Sequence, residues 1–222
     1  MIELGHRTTG EPDGGPPVVL LHALGSSART WADLAKRLPR HSVALDLRGH
    51  GTSPHTDDYT FTAMADDVLH FMDRHGHDTV DLVGHSLGGA VAMHVAMKAP
   101  DRVRLMVVED IAPPPHERTE PIEVPAAPPE PVDFDWAVVH TVKHLVRTPD
   151  PTWWAGLPRI PADTLWLAGG QGSHVDQGRL REAAQLMPTA TVVEIPVGHR
   201  IHSEAPDDFA AVVVPFLSRA AS

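Results

Sequence analysis

One stretch constrains this chain more than any other: residues 80–98, Val-Asp-Leu-Val-Gly-His-Ser-Leu-Gly-Gly followed by Ala-Val-Ala-Met-His-Val-Ala-Met-Lys. Val80, Leu82 and Val83 read as the end of a buried strand, and residues 90–98 as a helix-forming run. Between them lies Gly84-His85-Ser86-Leu87-Gly88, a G-x-S-x-G pentapeptide. A strand that becomes a helix through one residue puts that side chain at the tip of a sharp bend. Glycine is needed two positions to either side, because a Cβ there would strike the neighbouring strand and helix. Ser86 is therefore expected to stand clear of the sheet with a helix N-terminus behind it, the placement of a serine nucleophile. The pentapeptide alone also arises by chance in loops, so its partners elsewhere in the chain decide its meaning.

The remaining chain alternates short apolar runs with amphipathic ones. Strands are expected at 2–4, 18–21, 41–46, 102–108, 164–168 and 190–195. Helices are expected at 31–38, 61–74, 135–146, 175–187 and 209–217, with a further short one after Asp150. The 61–74 helix is capped by Thr60 or Thr62, and the 209–217 helix is bent or interrupted at Pro215. Strand–helix alternation at this spacing means an α/β fold with a mostly parallel, doubly wound sheet covered on both faces. Ligand sites in such sheets lie beyond the carboxyl ends of the strands. The polar clusters at 22–27, 46–53, Ser86 and Glu109-Asp110 all fall there and are expected to meet at one edge.

Residues 112–132 break the pattern with Pro113, Pro114, Pro115, Pro121, Pro125, Pro128, Pro129 and Pro131. Because sheet-like sequence resumes afterwards, this segment leaves and rejoins a single domain. The expected division is a core of residues 1–111 and 161–222 with a short, proline-rich helical lid at 112–160, in which Trp153 and Trp154 either pack the lid down or line the pocket.

Composition removes several classes of function. The 222 residues contain no cysteine, which excludes disulfides, thiolate metal sites and cysteine nucleophiles. A formal net charge of −11 opposes binding to nucleic acid. No apolar run approaches a membrane span, and no basic region followed by an apolar one opens the chain, so a cytoplasmic enzyme is expected. Among the 16 histidines, His140 and His144 have helical i, i+4 spacing, but no acidic ligand accompanies them, and they are read as a solvated helix face. No metal or other cofactor is expected.

The chain resembles the α/β-hydrolase family over nearly its whole length. The matching pieces are His22-Ala23-Leu24-Gly25 after an early buried strand, the 46–53 segment Asp-Leu-Arg-Gly-His-Gly-Thr-Ser, the 84–89 elbow, and Gly198-His199 after the last strand. The resemblance implies Ser86 as nucleophile, His199 as general base, and the backbone N–H groups of Leu87 and Leu24 as oxyanion donors. Ala23 stands where the family usually has glycine, and His202 is given a supporting role. The third catalytic member departs from the usual pattern, because the turn that usually carries the acid here reads Gly169-Gly170-Gln171-Gly172-Ser173. An alternative family position, at the end of the strand after the elbow helix, falls on Asp110; Glu109, Asp176 or a simple Ser-His dyad remain open.

A serine nucleophile favours acyl transfer over the alkyl chemistry that needs a carboxylate. The expected function is hydrolysis of an ester, lactone or thioester of a small to medium, partly apolar acyl substrate. Two alternatives stand beside it, a non-hydrolytic or C–C bond-cleaving relative and a ligand-sensing protein on the same scaffold.

Overall fold

The apolar runs assemble into one seven-stranded sheet in the computed structural model, which describes residues 1–120 and 122–219. Its strands are β1 (His6–Thr9), β2 (Val18–Leu21), β3 (Ser42–Leu45), β4 (Val80–His85), β5 (Val103–Glu109), β6 (Asp163–Ala168) and β7 (Ala190–Glu194). The spatial order is β1-β3-β2-β4-β5-β6-β7, with β1 antiparallel to β3 and every other pairing parallel. The helices are α1 (Ala32–Arg37), α2 (Phe61–Arg74), α3 (Leu87–Lys98), α4 (Ala137–Leu145), α5 (Pro151–Gly156), α6 (Gln177–Leu186), α7 (Ile201–Glu204) and α8 (Pro206–Leu217).

Successive strand residues face opposite sides of the sheet, and both sides are apolar. Val19, Leu21, Leu82 and Val108 join the core that holds α2, α3 and α6. Val18, Leu20, Val83 and Val107 join a second core with Trp31, Leu34, Phe209 and Val213 from around α1 and α8. The α2 helix follows its apolar spacing: Phe61, Met64, Val68, Phe71 and Met72 are buried, and Thr60 Oγ1 caps it by accepting from Ala63 N–H at 3.3 Å. Among the described residues no helix is long and apolar enough to cross a membrane.

The structure corrects the sequence reading in two places. The first strand is His6–Thr9 and not 2–4, because pairing with β3 begins only where His6 meets Leu45. The apolar residues before it pack instead: Leu4 is buried, and Ile2 N–H donates to Asp67 Oδ1 at 2.9 Å. The last helix runs through Pro215 to Leu217 without stopping, its apolar face seated on the second core.

Residues 112–160 leave after β5 and return before β6. No helix or strand is formed among the described residues between Glu109 and Ala137; Pro121 lies outside the described residues. The segment is tied down at several points. Trp154 Nε1–H donates to Pro114 O at 2.9 Å, Trp136 Nε1–H to Pro125 O at 2.8 Å, and Tyr59 Oη–H to Asp135 Oδ2 at 2.5 Å. Trp153 is buried against Phe61 and His94. Both tryptophans of α5 are thus packing residues, and neither lines a cavity that reaches Ser86.

Candidate active site

β4 ends at His85 and α3 begins at Leu87, so Ser86 alone makes the turn, at φ 50° and ψ −112°. A non-glycine residue held in such a conformation costs about 1–3 kcal/mol. The surroundings fix it: Ser86 N–H donates to Glu109 O at 2.9 Å, and Ser86 O accepts from Ala90 N–H at 3.0 Å. The flanking glycines answer to close approach. A Cβ on Gly84 would lie 2.3 Å from Gly88 O, and one on Gly88 would lie 2.1 Å from Leu21 O. Both obstacles are backbone atoms and cannot swing aside. Gly88→Ala should therefore lower stability by at least about 1–3 kcal/mol, the usual cost of overpacking, read as a fall in the urea midpoint. An unchanged midpoint would mean that the elbow and β2 do not approach as closely as the fold requires.

Asp110 follows β5 and turns sharply, at φ 44°. Its Oδ2 accepts from His199 Nδ1–H at 2.7 Å and from Ser173 Oγ–H at 2.5 Å. Its Oδ1 accepts from Gly169 N–H at 2.8 Å and from Gln177 Nε2–H at 3.0 Å. Burial alone would push this carboxyl up, but the four donors outweigh it and hold Asp110 below the usual carboxylate range. The side chain is therefore an anion at neutral pH, and it orients His199.

Glu109, next in sequence, points elsewhere. Both its oxygens accept from His202 Nδ1–H, at 3.0 and 2.8 Å, and Oε1 also accepts from His202 N–H at 2.9 Å. Thr30 Oγ1 lies 2.8 Å from the other ring nitrogen of His202. His85 completes this buried group by donating Nε2–H to His199 O at 2.7 Å, and burial pushes its imidazole down to about 4, so it is neutral. The potential ligand atoms of His85, Glu109 and His202 lie within 4.8 Å of one another. Their hydrogen bonds already engage both nitrogens of His202 and Nε2 of His85, an arrangement suited to fixing the His199 turn more than to holding a metal. Among the described residues Asp176 makes no hydrogen bond or ion pair with His199; it caps α6 by accepting from Arg179 N–H at 3.0 Å.

Two neutral histidines shape the turn that carries Leu24. His22 donates Nδ1–H to Ala23 O at 2.7 Å and accepts from Leu47 N–H at Nε2, 3.0 Å away. Those opposite roles require the uncharged ring, and burial with His50 alongside pushes His22 down to about 3. His50 repeats the pattern between Arg48 O and Gly25 N–H. Ala23 sits outside the left-handed region, which among the described non-glycine residues holds only Ser86 and Asp110, so the alanine fits this turn without strain.

Ser86 and Leu24 line two adjoining cavities. One, about 210 Å³, is walled by Ile111, Ala112, Val142 and Val146. The other, about 450 Å³, holds His174 and His199. No hydrogen bond joins Ser86 Oγ to His199 among the described residues; such bonds commonly tighten only as substrate binds.

Comparison with known proteins bears on the family and the fold. A sequence profile described as alpha/beta hydrolase fold matches residues 16–156, more than half of the chain. The chain belongs to the α/β-hydrolase family. The sn-1-specific diacylglycerol lipase ABHD11 of Mus musculus is 29% identical over 254 aligned positions, spanning 91% of this chain and 81% of that protein. Lipase LipV of Mycobacterium tuberculosis is 40% identical over 102 residues, 46% of this chain and 39% of that one. Among solved structures, an esterase from a marine microorganism superposes with a TM-score of 0.80 at 24% identity, covering 97% of this chain and 100% of that one, which speaks for the fold alone.

Several residues of this α/β-hydrolase site were not legible as such in the sequence. Ser173 and Gln177 hold Asp110 from a loop and a helix start more than sixty positions away. His174 lies against His199, ring centroids 4.2 Å apart, and burial followed by the nearness of His199 and Lys143 holds it below its ordinary value. Only the polar composition of 171–177, beyond a strand end, signals them.

Proposed function

We propose that this α/β-hydrolase is a serine hydrolase that cleaves an ester, lactone or thioester of a small to medium, partly apolar substrate through an acyl-enzyme. One observation carries the reading: His199 Nδ1 is held 2.7 Å from the buried Asp110 carboxylate, and its ring shares a cavity with Ser86. With Nδ1–H committed to Asp110, the free lone pair is on Nε2, on the side from which a base serves a serine. Ser86 Oγ attacks the acyl carbon as His199 takes its proton. The N–H groups of Leu87, at the head of α3, and of Leu24 receive the oxyanion. His199 then gives that proton to the departing alkoxide or thiolate, which leaves as the alcohol or thiol (in a lactone, as a hydroxyl still tethered to the acyl group), and activates water for deacylation. The mouse and mycobacterial relatives are named lipases, which favours a carboxylic ester among these.

Residues 112–160 act in this reading as a lid, since they supply one wall of the smaller cavity through Ala112, Pro115, Val142 and Val146. Limited trypsinolysis should cut first after the exposed Arg118 and leave the sheet intact. Early cleavage between 80 and 110 would contradict a lid on a continuous core.

The test of function is a fluorophosphonate probe followed by peptide mapping. Stoichiometric labelling of Ser86, with turnover of short p-nitrophenyl esters, supports the reading. A folded protein that takes up no label would rule out an activated serine and favour a non-hydrolytic relative.

A further inference from the structure

The protein carries a formal net charge of −11. The smaller cavity above Ser86 is nevertheless bordered by Lys143, Arg147 and Arg179, against the single carboxylate of Asp176. Lys143 also lines the second cavity that reaches Ser86 and His199. Lys143 and Arg147 continue outward into a neighbouring depression that adds Arg118. These cations are placed by the helix: 142, 143, 146 and 147 lie one turn apart at and just beyond the end of α4, so Val142 and Val146 wall the cavity beside the two charges.

Elsewhere many of the cations are neutralised. Arg40 and Arg104 meet Asp81, Arg48 meets Asp67, and Arg102 meets Asp73. Lys143, Arg147 and Arg179 enter no ion pair among the described residues. Among the described residues the only side-chain hydrogen bond of Arg147 goes to the backbone oxygen of Glu120, at 3.4 Å. Arg179 Nε is buried with no acceptor among the described residues. Asp176, the carboxylate that lines the cavity, accepts from Arg179 N–H in capping α6. Uncompensated positive charge around a partly apolar cavity raises the local concentration of anions and disfavours neutral or cationic occupants.

We infer that the substrate of this site is an anionic ester, with an apolar portion spanning the cavity from Ser86 and an anionic group, remote from the scissile carbonyl, received by Lys143, Arg147 and Arg179. This rests on Ser86 being the nucleophile of an esterase. Matched substrate pairs distinguish an anion on the acyl side of the ester bond from one on the alcohol side. For the acyl side the pair is mono-p-nitrophenyl adipate and p-nitrophenyl hexanoate. For the alcohol side it is 4-acetoxybenzoate and its methyl ester.

In one of these pairs kcat/KM should favour the charged ester by about tenfold or more at low salt. That ratio should fall about tenfold in the Lys143→Gln/Arg147→Gln double variant and shrink in 0.5 M NaCl, where the Debye length is only about 3–5 Å. Arg179→Gln, on a separate helix, should lower the same ratio and guards against misfolding of the double variant. Binding gives a readout free of chemistry: Ser86→Ala should bind the charged member of that pair more tightly, and should lose the preference when Lys143 and Arg147 are also replaced. Hydrolysis with no charge preference in either pair, or a preference that survives in both sets of variants, overturns the inference and leaves the esterase. A binding preference that persists in Ser86→Ala, in a protein whose wild type neither labels nor turns over any ester, would remove the esterase and leave the anion site.

Discussion

Ser86→Ala should yield a folded protein whose turnover of p-nitrophenyl butyrate is reduced at least about a thousandfold. The chemical reason is that no other group can stand in for the hydroxyl. The elbow aims one side chain into both cavities, and water placed there would lack the fixed geometry that makes attack effectively intramolecular. What survives would come from the N–H groups proposed as oxyanion donors, those of Leu24 and Leu87, which would polarise the carbonyl whether or not a serine is present. Stability should change little, because Ser86 caps no helix with its side chain and Oγ has no protein partner to leave orphaned among the described residues. The urea midpoint should therefore stay close to wild type, within about 0.5 kcal/mol in stability. Unchanged turnover in a purified, labelled-free variant would remove Ser86 from the mechanism.

The elbow was legible because it depends on local constraints. Gly84 makes room for Gly88 within the same five residues, so the spacing shows in the sequence even though Gly88 is also closed in by Leu21 of β2, and the strand and helix on either side announce themselves by periodicity. The parallel sheet was legible for the same reason, since Val18 to Leu21 and Leu105 to Val108 are apolar on both faces and have no other stable home. The first strand was not. Ile2 and Leu4 look like a strand by alternation, but a short edge strand is defined by where its neighbour begins, and β3 offers its first partner to His6.

The 46–53 segment shows a different limit. Its resemblance to a family motif marked it, but not the work its side chains do. Asp46 gathers Ala28 N–H at 2.7 Å and Thr52 N–H at 2.9 Å. Arg48 Nε–H donates to the buried Asp67 at 2.7 Å, fastening the loop to α2. His50 reaches back to Gly25 and stacks on Phe134 of the 112–160 segment, centroids 5.4 Å apart. These contacts join parts of the chain that no periodicity relates. The cationic rim was hidden likewise: the pattern of α4 gives its apolar face, and only docking shows that Lys143 and Arg147 flank that face at the cavity.

Replacing Asp110 by asparagine should keep the fold and cost roughly two to four powers of ten in turnover. Strand alternation sends Glu109 and Asp110 apart without saying which meets His199; the turn at Asp110, φ 44°, brings its carboxylate onto Nδ1. All four of its neighbours donate: His199 and Ser173 to Oδ2, Gly169 and Gln177 to Oδ1. An asparagine must turn its NH2 towards one of these sides. Towards Gly169 it would face a backbone N–H that cannot become an acceptor. Towards His199 it meets groups that can adapt, as the serine hydroxyl rotates and the imidazole moves its proton to Nε2. That second choice is the cheaper one, and it leaves His199 in the tautomer that cannot take a proton from Ser86. The variant also loses the negative charge that stabilises the imidazolium. Because the Asp110 carboxyl is held below its ordinary value, its contribution to stability is present above the ordinary 3.8 and is lost as pH falls through the lower folded value, so the variant should lack that part of the acid limb. Glu109→Gln should cost far less in turnover, since its hydrogen bonds end on His202 and not on His199. Gly172→Asp, the usual family position, should partly rescue Asp110→Asn. A Cβ there meets nothing nearer than Gly198, at 3.6 Å, so the new carboxylate has room beside the residue preceding His199. Near-wild-type turnover in Asp110→Asn together with a dead Glu109→Gln would transfer the acid's role to the His202 network. If neither substitution mattered, Ser86 and His199 would have to work as a dyad, with Asp110 serving only to fasten β6 and α6 to the turn that carries the histidine.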